Sequence, residues 1–221
     1  MTGSAMAGGL EISGDLQEWA STAGFSLTPT DLYGRAVFSS SDSEIRYFIG
    51  AGNDGWFRVT RSNRMRPEQL ELAAHSLLPI EKYFYGSFGW DVRYYNDFPR
   101  ATVVDRLPGR FEVRSLADDA GQDYLAQFNA ANRDYLAQFD EPNQDYLARF
   151  NEPNRDYLVL IDAESGRTAI DGSGKVLARI RLANLAVYLS HDTEEIKASF
   201  MARDGASLLA VTEGDGEGAP G

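Results

Sequence analysis

The chain contains no cysteine and only two histidines. Without cysteine there is no disulfide framework, no thiol nucleophile and no thiolate ligand for a soft metal. His75 and His191 lie far apart in the sequence, and neither has a second histidine one helical turn away. Such isolated histidines are typical of surface or capping positions. We therefore predict no metal site and no bound cofactor.

Basic residues are also in short supply. The chain has 21 Lys and Arg against 33 Asp and Glu, which gives a net charge of −12. This balance argues against a DNA- or RNA-binding protein, whose surface must be basic, and favours attraction to a basic partner. No stretch approaches the ~20 apolar residues of a membrane span, and the first ten residues do not resemble a signal peptide. A cytoplasmic protein is the expectation.

Catalytic motifs are missing as well. No serine stands in a nucleophile elbow, and no Walker lysine is present. The carboxylates are plentiful but spread along the chain, so that no pair is singled out for acid–base catalysis. We therefore predict no catalytic residues. An enzyme of the hydrolase type, acting through carboxylates that the sequence does not distinguish, is the alternative.

One apparent fingerprint is present in "IGAGNDGWFRVT", where Gly50, Gly52 and Gly55 spell G-x-G-x-x-G. A dinucleotide-binding loop requires a strand before the glycines and a helix after them, whose N-terminus holds the pyrophosphate. Here strand-like residues stand on both sides, and Asp54-Gly55 is a strong hairpin signal. The sequence therefore predicts a β-hairpin rather than a nucleotide site.

Composition divides the chain into three parts. Residues 1–13 are small and polar and are predicted to form a flexible leader, whereas the Gly- and acid-rich residues 212–221 are predicted to be a disordered tail. Residues 14–211 are long enough for a single domain, and hydrophobic residues make up 43% of the chain, which is sufficient for one core.

Residue patterns within this domain predict both helices and strands. Helices are predicted at 14–24, from Pro67 to about Tyr85 with a kink at Pro79, and in "NLAVYLSH" and "DTEEIKASF". Strands are predicted near 35–39, 44–49, 56–62, 111–116, 157–163 and 174–182, with a short edge strand at 207–211. Because hairpin turns join successive strands, we predict an α+β fold in which helices pack on one side of a curved antiparallel sheet.

An 11-residue unit is repeated at 122–158, as "QDYLAQFNAAN", "RDYLAQFDEPN", "QDYLARFNEPN" and the start of a fourth copy. Pro142 and Pro153 would interrupt a continuous helix, and Glu-Pro-Asn favours a turn. Each copy is therefore predicted to be a strand followed by a turn, inserted in the domain. Short two-turn helices are the alternative, because brief apolar runs are compatible with both states. A structural or assembly role for this repeat is a further hypothesis.

The stretch from Ile80 to Arg100 is the richest in aromatic residues. Tyrosine and tryptophan are the residues that dominate protein–protein hot spots. After Gly89 the helical periodicity is lost, so we expect an extended segment in which adjacent tyrosines point to opposite sides and one is exposed. The predicted partner-contact residues are Trp90, Asp91, Tyr94, Tyr95 and Asp97.

Four stretches together resemble a known family. They are "DLQEWASTAGFSLTPTD", "GRAVFSS…EIRYFIG…DGWFRVTRS", "QLELAAHSLLPIEKYFYGSFGWDVR" and "LSHDTEEIKASFMARDG". They are similar to mycobacterial immunity proteins related to the immunity factor of the tuberculosis necrotizing toxin. Members of that family are antitoxins that bind a secreted NAD-glycohydrolase toxin inside the producing cell and obstruct its NAD site. The resemblance implies a non-enzymatic inhibitor whose partner is a protein toxin.

Overall fold

Ten strands and six helices are formed by the residues that the computed structural model describes, which are 10–64, 66–104, 107–139 and 157–212. The strands are β1 (Phe25–Thr28), β2 (Ala36–Ser40), β3 (Ile45–Ala51), β4 (Phe57–Asn63), β5 (Gln69–Ala74), β6 (Ala101–Val103), β7 (Phe111–Ser115), β8 (Leu158–Asp162), β9 (Gly166–Asp171) and β10 (Leu209–Val211). The helices are α1 (Gly14–Thr22), α2 (Leu77–Tyr95), α3 (Leu116–Ala120), α4 (Gln122–Leu136), α5 (Lys175–Leu189) and α6 (Thr193–Met201). The predicted leader and tail lie mostly outside these residues and stay predictions.

Eight strands form one antiparallel sheet in the order β1-β2-β3-β4-β5-β9-β8-β7. The first five strands are neighbours in both sequence and space, because short turns join them into a meander. Strands β6 and β10 pair separately as a two-stranded antiparallel sheet. The predicted α+β class with a curved antiparallel sheet is confirmed.

The glycine-rich stretch is the turn of the β3–β4 hairpin, as predicted. Gly50 is paired with Arg58 within the ladder, and Gly55 adopts φ +82°, a left-handed conformation that glycine reaches without strain. Strand β4 follows the turn, so the chain does not enter a helix directly after these glycines. The requirement of a dinucleotide site is therefore not met here.

The main core lies between one face of the sheet and the helices α1, α2, α5 and α6. Phe38 and Ile49 of the sheet and Phe84 and Phe88 of α2 are completely buried there. Each large apolar side chain buried in this way stabilises the fold by about 1.5–3 kcal/mol. Most helices therefore cover one side, as predicted.

The short α3 and the longer α4 cover the opposite face. There Phe128 of α4 packs edge-on against Trp56 and Tyr157, above the buried Val159 and Ile170. Helices therefore pack on both faces of the sheet, and the larger core lies on the face covered by α1, α2, α5 and α6.

The long helix predicted from Pro67 to about Tyr85 is wrong. Residues Gln69–Ala74 form β5, and α2 begins only at Leu77 and ends at Tyr95. "QLELAA" consists of good helix formers, but its position between β4 and β9 supplies backbone partners on both sides, and this tertiary pairing overrides local propensity. Pro79 causes no interruption because it lies in the first turn of α2, where no backbone donor is needed.

The strand predicted at 174–182 is wrong too, since these residues belong to α5. Ala178, Leu182 and Leu185 are buried at helical spacing, although the alternation of "KVLARIRL" also suggested a strand. Conversely, β9 was not predicted, because the turn residues Gly166 and Asp171 at its ends concealed the short run between them.

The prediction that each repeat copy is a strand and turn is corrected for the copies that can be described. The first copy and the start of the second form one continuous helix, α4. Its buried residues Leu125, Phe128, Asn132, Tyr135 and Leu136 recur every three or four positions, which places them on one face against the sheet. The first copy has alanine where later copies have proline, so nothing ends the helix at that position. Residues 140–156 of the later copies lie outside the described residues, and Leu158 of the fourth copy begins strand β8, as the strand predicted at 157–163 required.

Candidate functional site

The C-terminal end of α2 displays two neighbouring tyrosines. Tyr94 is 78% exposed and Tyr95 is 61% exposed, and their ring centroids lie 5.7 Å apart in an edge-on arrangement. One exposed tyrosine was expected from an extended segment. Both are exposed because α2 continues to Tyr95, and successive helical residues differ by about 100° rather than 180°. We call Tyr94, Tyr95 and the following Asp97 the tyrosine patch.

The backbone fixes the rim of the tyrosine patch. Asn96 caps α2, and its side-chain amide donates a hydrogen bond of 2.8 Å to the carbonyl of Val92. Asp97, just beyond the helix end, adopts φ +51° in the left-handed region and is exposed. The ring of Tyr95 also lies against Gly24, at the start of β1. The patch is thus held from both sides.

Arg93 lies underneath the patch and is only 3% exposed. Its guanidinium donates hydrogen bonds to the carbonyl oxygens of Ala202 at 2.6 Å, Pro99 at 3.0 Å and Arg203 at 3.1 Å. A cation is favourable at this place because it meets the carbonyl-rich C-terminal end of α6. This single side chain ties the end of α2 to two other segments.

The other two predicted contact residues lie one helical turn earlier and are half-buried. Trp90 packs edge-on against Phe200 of α6 with ring centroids 5.0 Å apart, so it belongs mainly to the core. Burial raises the pKa of the Asp91 carboxyl to about 6, although the positive charge of Arg61 acts in the opposite direction. The structure thus brings Tyr94, Tyr95 and Asp97 together at the surface and keeps Trp90 and Asp91 behind them.

The raised pKa of Asp91 predicts a pH dependence of stability. The folded state favours the protonated carboxyl, so its contribution is present at about pH 4 and is lost as the pH rises through about 6. Asp91→Asn removes this loss because the amide is neutral. We expect the variant to match the parent at pH 4 and to exceed its free energy of unfolding by about 1 kcal/mol at pH 8, after allowance for partial exposure.

Urea denaturation at a series of pH values measures this difference. Asp97→Asn, at an exposed position of the same segment, is the matched control and should follow the parent at every pH. If the free energies of unfolding of Asp91→Asn and the parent change with pH in the same way, the Asp91 carboxylate is well solvated in the folded protein.

A second group of carboxylates is buried between the sheet and α5. Arg181 of α5 contacts both Glu71 and Asp171, and Arg61 lies 3.7 Å from Glu71. Burial raises the pKa of both carboxyls, while the arginine charges oppose this shift. The sequence did not single out this pair, because Glu71 and Asp171 are brought together only by β5–β9 pairing. The arrangement anchors α5 to the sheet through ion pairs.

A surface cleft of about 230 Å³ lies between the β3–β4 turn and α4. It is lined by Asn53, Asp54, Ala131, Asp134, Tyr135 and Gln138. Behind it the fully buried Arg58 pairs with both carboxylate oxygens of Asp54 at 2.7 and 2.6 Å, and donates to Asn132 at 2.6 Å. Sequence analysis missed this cleft because it depends on where α4 lies.

Among the described residues, no group of three or more histidine or acidic side chains is arranged to hold a metal ion. Within the same ranges, none of the helices combines the length and apolar character needed to cross a membrane.

The family model for Immunity protein 61 matches residues 19–138, which is more than half of the chain. The chain belongs to this family. The matched range includes the tyrosine patch, the β3–β4 hairpin and all of α4. The resemblance that the sequence suggested is confirmed.

Among curated proteins, the chain is similar to the immunity factor for TNT of Mycobacterium tuberculosis and to its homologue in Mycobacterium bovis. In both cases the identity is 39% over 93 residues, which cover 41% of this chain and 52% of the relative. The chain thus spans about half the length of these relatives. A solved structure, Rv3902c from M. tuberculosis, superimposes with a TM-score of 0.69 at 26% identity, covering 94% of this chain and 98% of that one.

Proposed function

We propose that this chain is a cytoplasmic immunity protein that binds a toxin of the NAD-glycohydrolase type and blocks its NAD site by steric occlusion. The observation that carries the proposal is membership of the Immunity protein 61 family, together with relatives named as immunity factors for TNT. The chain itself acts without a cofactor and without catalytic residues. It presents a surface that occupies the NAD site of the toxin, so that NAD cannot bind at the same time.

The tyrosine patch is the proposed toxin-facing surface. Tyr94 and Tyr95 offer large, stiff rings with few rotatable bonds, so little conformational entropy is lost when they are buried in a partner. Asp97 adds a carboxylate beside them, and a site built for an anionic cofactor favours negative charge. The half-buried Trp90 and Asp91 support this surface from the preceding turn of α2.

The buried carboxylates do not favour the alternative of a hydrolase. Glu71 and Asp171 share Arg181, and Glu71 also faces Arg61. Ion pairs of this kind perturb the pKa of a carboxyl in structural networks as well as in active sites. Here each carboxylate has a partner that holds α5 in place, which supports a structural role for the pair.

The proposed surface leads to a prediction about inhibition. Tyr94→Ala and Tyr95→Ala, made separately, should include at least one variant that binds the toxin about 30-fold more weakly, because truncating a hot-spot residue costs ~2 kcal/mol or more. The loss should appear mainly in the dissociation rate. The measurement is inhibition of NAD hydrolysis by TNT of M. tuberculosis, with circular dichroism to confirm folding.

Leu78→Ala is the matched control, since Leu78 is 58% exposed at the opposite end of the same helix. It should inhibit like the parent. If both tyrosine variants also inhibit like the parent, the toxin contacts a different surface. A parent protein that leaves the toxin fully active would instead refute the proposed function.

A further inference from the structure

The end of the sheet opposite the tyrosine patch carries a second exposed surface. The β1–β2 loop and the β3–β4 turn lie at this end, because Ala36 at the start of β2 pairs with Ile49 near the end of β3. Leu32 in that loop is 99% exposed and Tyr33 is 55% exposed. We call the following residues the hairpin-end surface: Leu32, Tyr33, Asn53, Asp54, Asp134 and Gln138.

Leu32 is displayed on a fixed loop. The carboxylate of Asp31 accepts hydrogen bonds from the backbone amides of Tyr33 at 2.8 Å and Arg35 at 2.9 Å, and from the Arg35 side chain at 2.9 Å. Arg35 is itself 4% exposed and bonded to Glu68. A fixed apolar side chain loses little freedom when a partner covers it, so its burial contributes more fully to affinity.

Aromatic rings connect this loop to the cleft. The ring of Phe139 lies 5.1 Å from Tyr33 and 4.9 Å from Tyr135, and the guanidinium of Arg35 lies 3.8 Å from its centroid. Tyr135 in turn lines the cleft beside Asp134. The exposed leucine and the cleft therefore belong to one continuous surface.

The cleft carries a negative charge that the described residues do not balance. Asp54 is neutralised by Arg58, but none of the residues within the described ranges forms an ion pair with the exposed Asp134. Asn53 and Gln138 add amide groups, and Tyr135 adds an aromatic ring. Carboxylate, amide and aromatic groups together suit a guanidinium or ammonium group. The net charge of −12 attracts the same kind of partner.

We propose that the hairpin-end surface is a second contact surface for the toxin, which places an arginine or lysine side chain in the cleft and covers Leu32 with an apolar depression. This inference rests on the proposed function. It names the chemistry that the toxin must present: a basic side chain next to an apolar hollow.

One partner can reach both surfaces. The tyrosine patch lies against Gly24 and the hairpin-end surface begins at Leu32, and the edge strand β1 runs between them. Eight residues span at most about 28 Å even when fully extended. A standard interface buries about 800 Å² on each partner, which corresponds to a patch roughly 30 Å across. A toxin docked along the β1 edge therefore covers both ends.

The test measures association and dissociation rates with TNT of M. tuberculosis as the probe toxin. Leu32→Ala should raise Kd about tenfold or more, mainly through faster dissociation. Asp134→Asn should slow association several-fold and make it less sensitive to salt. Asp134→Lys should weaken binding about 100-fold, because it places like charges together. Both positions are exposed, so folding should be unaffected and is checked by circular dichroism.

Asp123→Asn and Leu177→Ala are matched controls. Asp123 occupies the same position of the repeat as Asp134, eleven residues earlier, and is also exposed, while Leu177 is 56% exposed on α5. Both should bind like the parent. If the parent binds the toxin and Leu32→Ala and Asp134→Lys bind it with a Kd within twofold of the parent's, the proposal of a second contact surface is wrong, but the proposed function stands. A parent that does not bind the toxin at all overturns the proposed function and this inference together.

Discussion

Replacing Arg93 with alanine is expected to lower the free energy of unfolding by about 3 kcal/mol or more. The buried guanidinium is the hydrogen-bond donor to the carbonyls of Ala202, Pro99 and Arg203, and its removal leaves these acceptors without a partner. Each buried polar group left unsatisfied costs about 1–3 kcal/mol. The favourable charge at the C-terminal end of α6 is lost as well. For a domain of this size the melting midpoint should fall by roughly 6–12 °C.

Thermal and urea denaturation measure this effect, with Arg100→Ala as the control. Arg100 is close in sequence but exposed, so its variant should stay within about 0.5 kcal/mol of the parent. Arg93→Lys should recover only part of the stability, because an ammonium group cannot reproduce the planar fork of the guanidinium. Equal stability of Arg93→Ala and Arg100→Ala would mean that water replaces the guanidinium without cost.

Gly89→Ala is expected to destabilise the protein by about 3 kcal/mol, although alanine is the better helix former. A Cβ atom at Gly89 would lie 2.3 Å from Cγ of Phe200. The Phe200 side chain is completely buried, and its Cγ is the ring atom next to Cβ, so it cannot shift away by a simple ring rotation. Helix propensity returns about 1 kcal/mol, but overpacking a tight contact of this kind costs more than that. The clash should separate α2 from α6.

Gly14→Ala provides the comparison, because nothing lies within 4 Å of a Cβ at Gly14 and the residue is exposed at the start of α1. It should be neutral or slightly stabilising. The difference between the two glycine variants in chemical denaturation isolates the contact from helix propensity. If Gly89→Ala proves as stable as the parent, α2 and α6 are less tightly packed than the structure indicates.

Local signals predicted a large part of the fold. Asp54-Gly55 between alternating runs predicted the β3–β4 hairpin, and "DTEEIKASF" predicted α6, which opens with a capping box formed by Asp192 and Glu195. These features depend only on residues a few positions apart. The error at β5 has a non-local cause, since β5 is a strand because β4 and β9 lie on either side of it, and β9 is more than ninety residues away. No local pattern in "QLELAA" contains that information.

The candidate site was predicted in part. The aromatic stretch drew attention to Tyr94 and Tyr95, and both are exposed, but the extended backbone expected for them is helical. The cleft depends on α4, whose Asn132 meets Arg58 from a distant part of the chain. The repeat itself pointed to strands and turns, so its face against the sheet could not be anticipated. Whether the predicted contact residues bind a toxin stays a prediction.

The pairing of β5 with β9 also has a consequence for biosynthesis. When β5 leaves the ribosome its outer edge has no partner, and β9 follows on the order of 100 residues later, which takes several seconds at about 5–20 residues per second. An open edge of this kind invites pairing between nascent chains. Glu71 stands at the register shift of β5, where a charged side chain opposes such pairing, and of its two arginine partners only Arg61 precedes it in the chain, while Arg181 follows later. The residue that anchors α5 in the finished protein is therefore also expected to disfavour pairing between nascent chains.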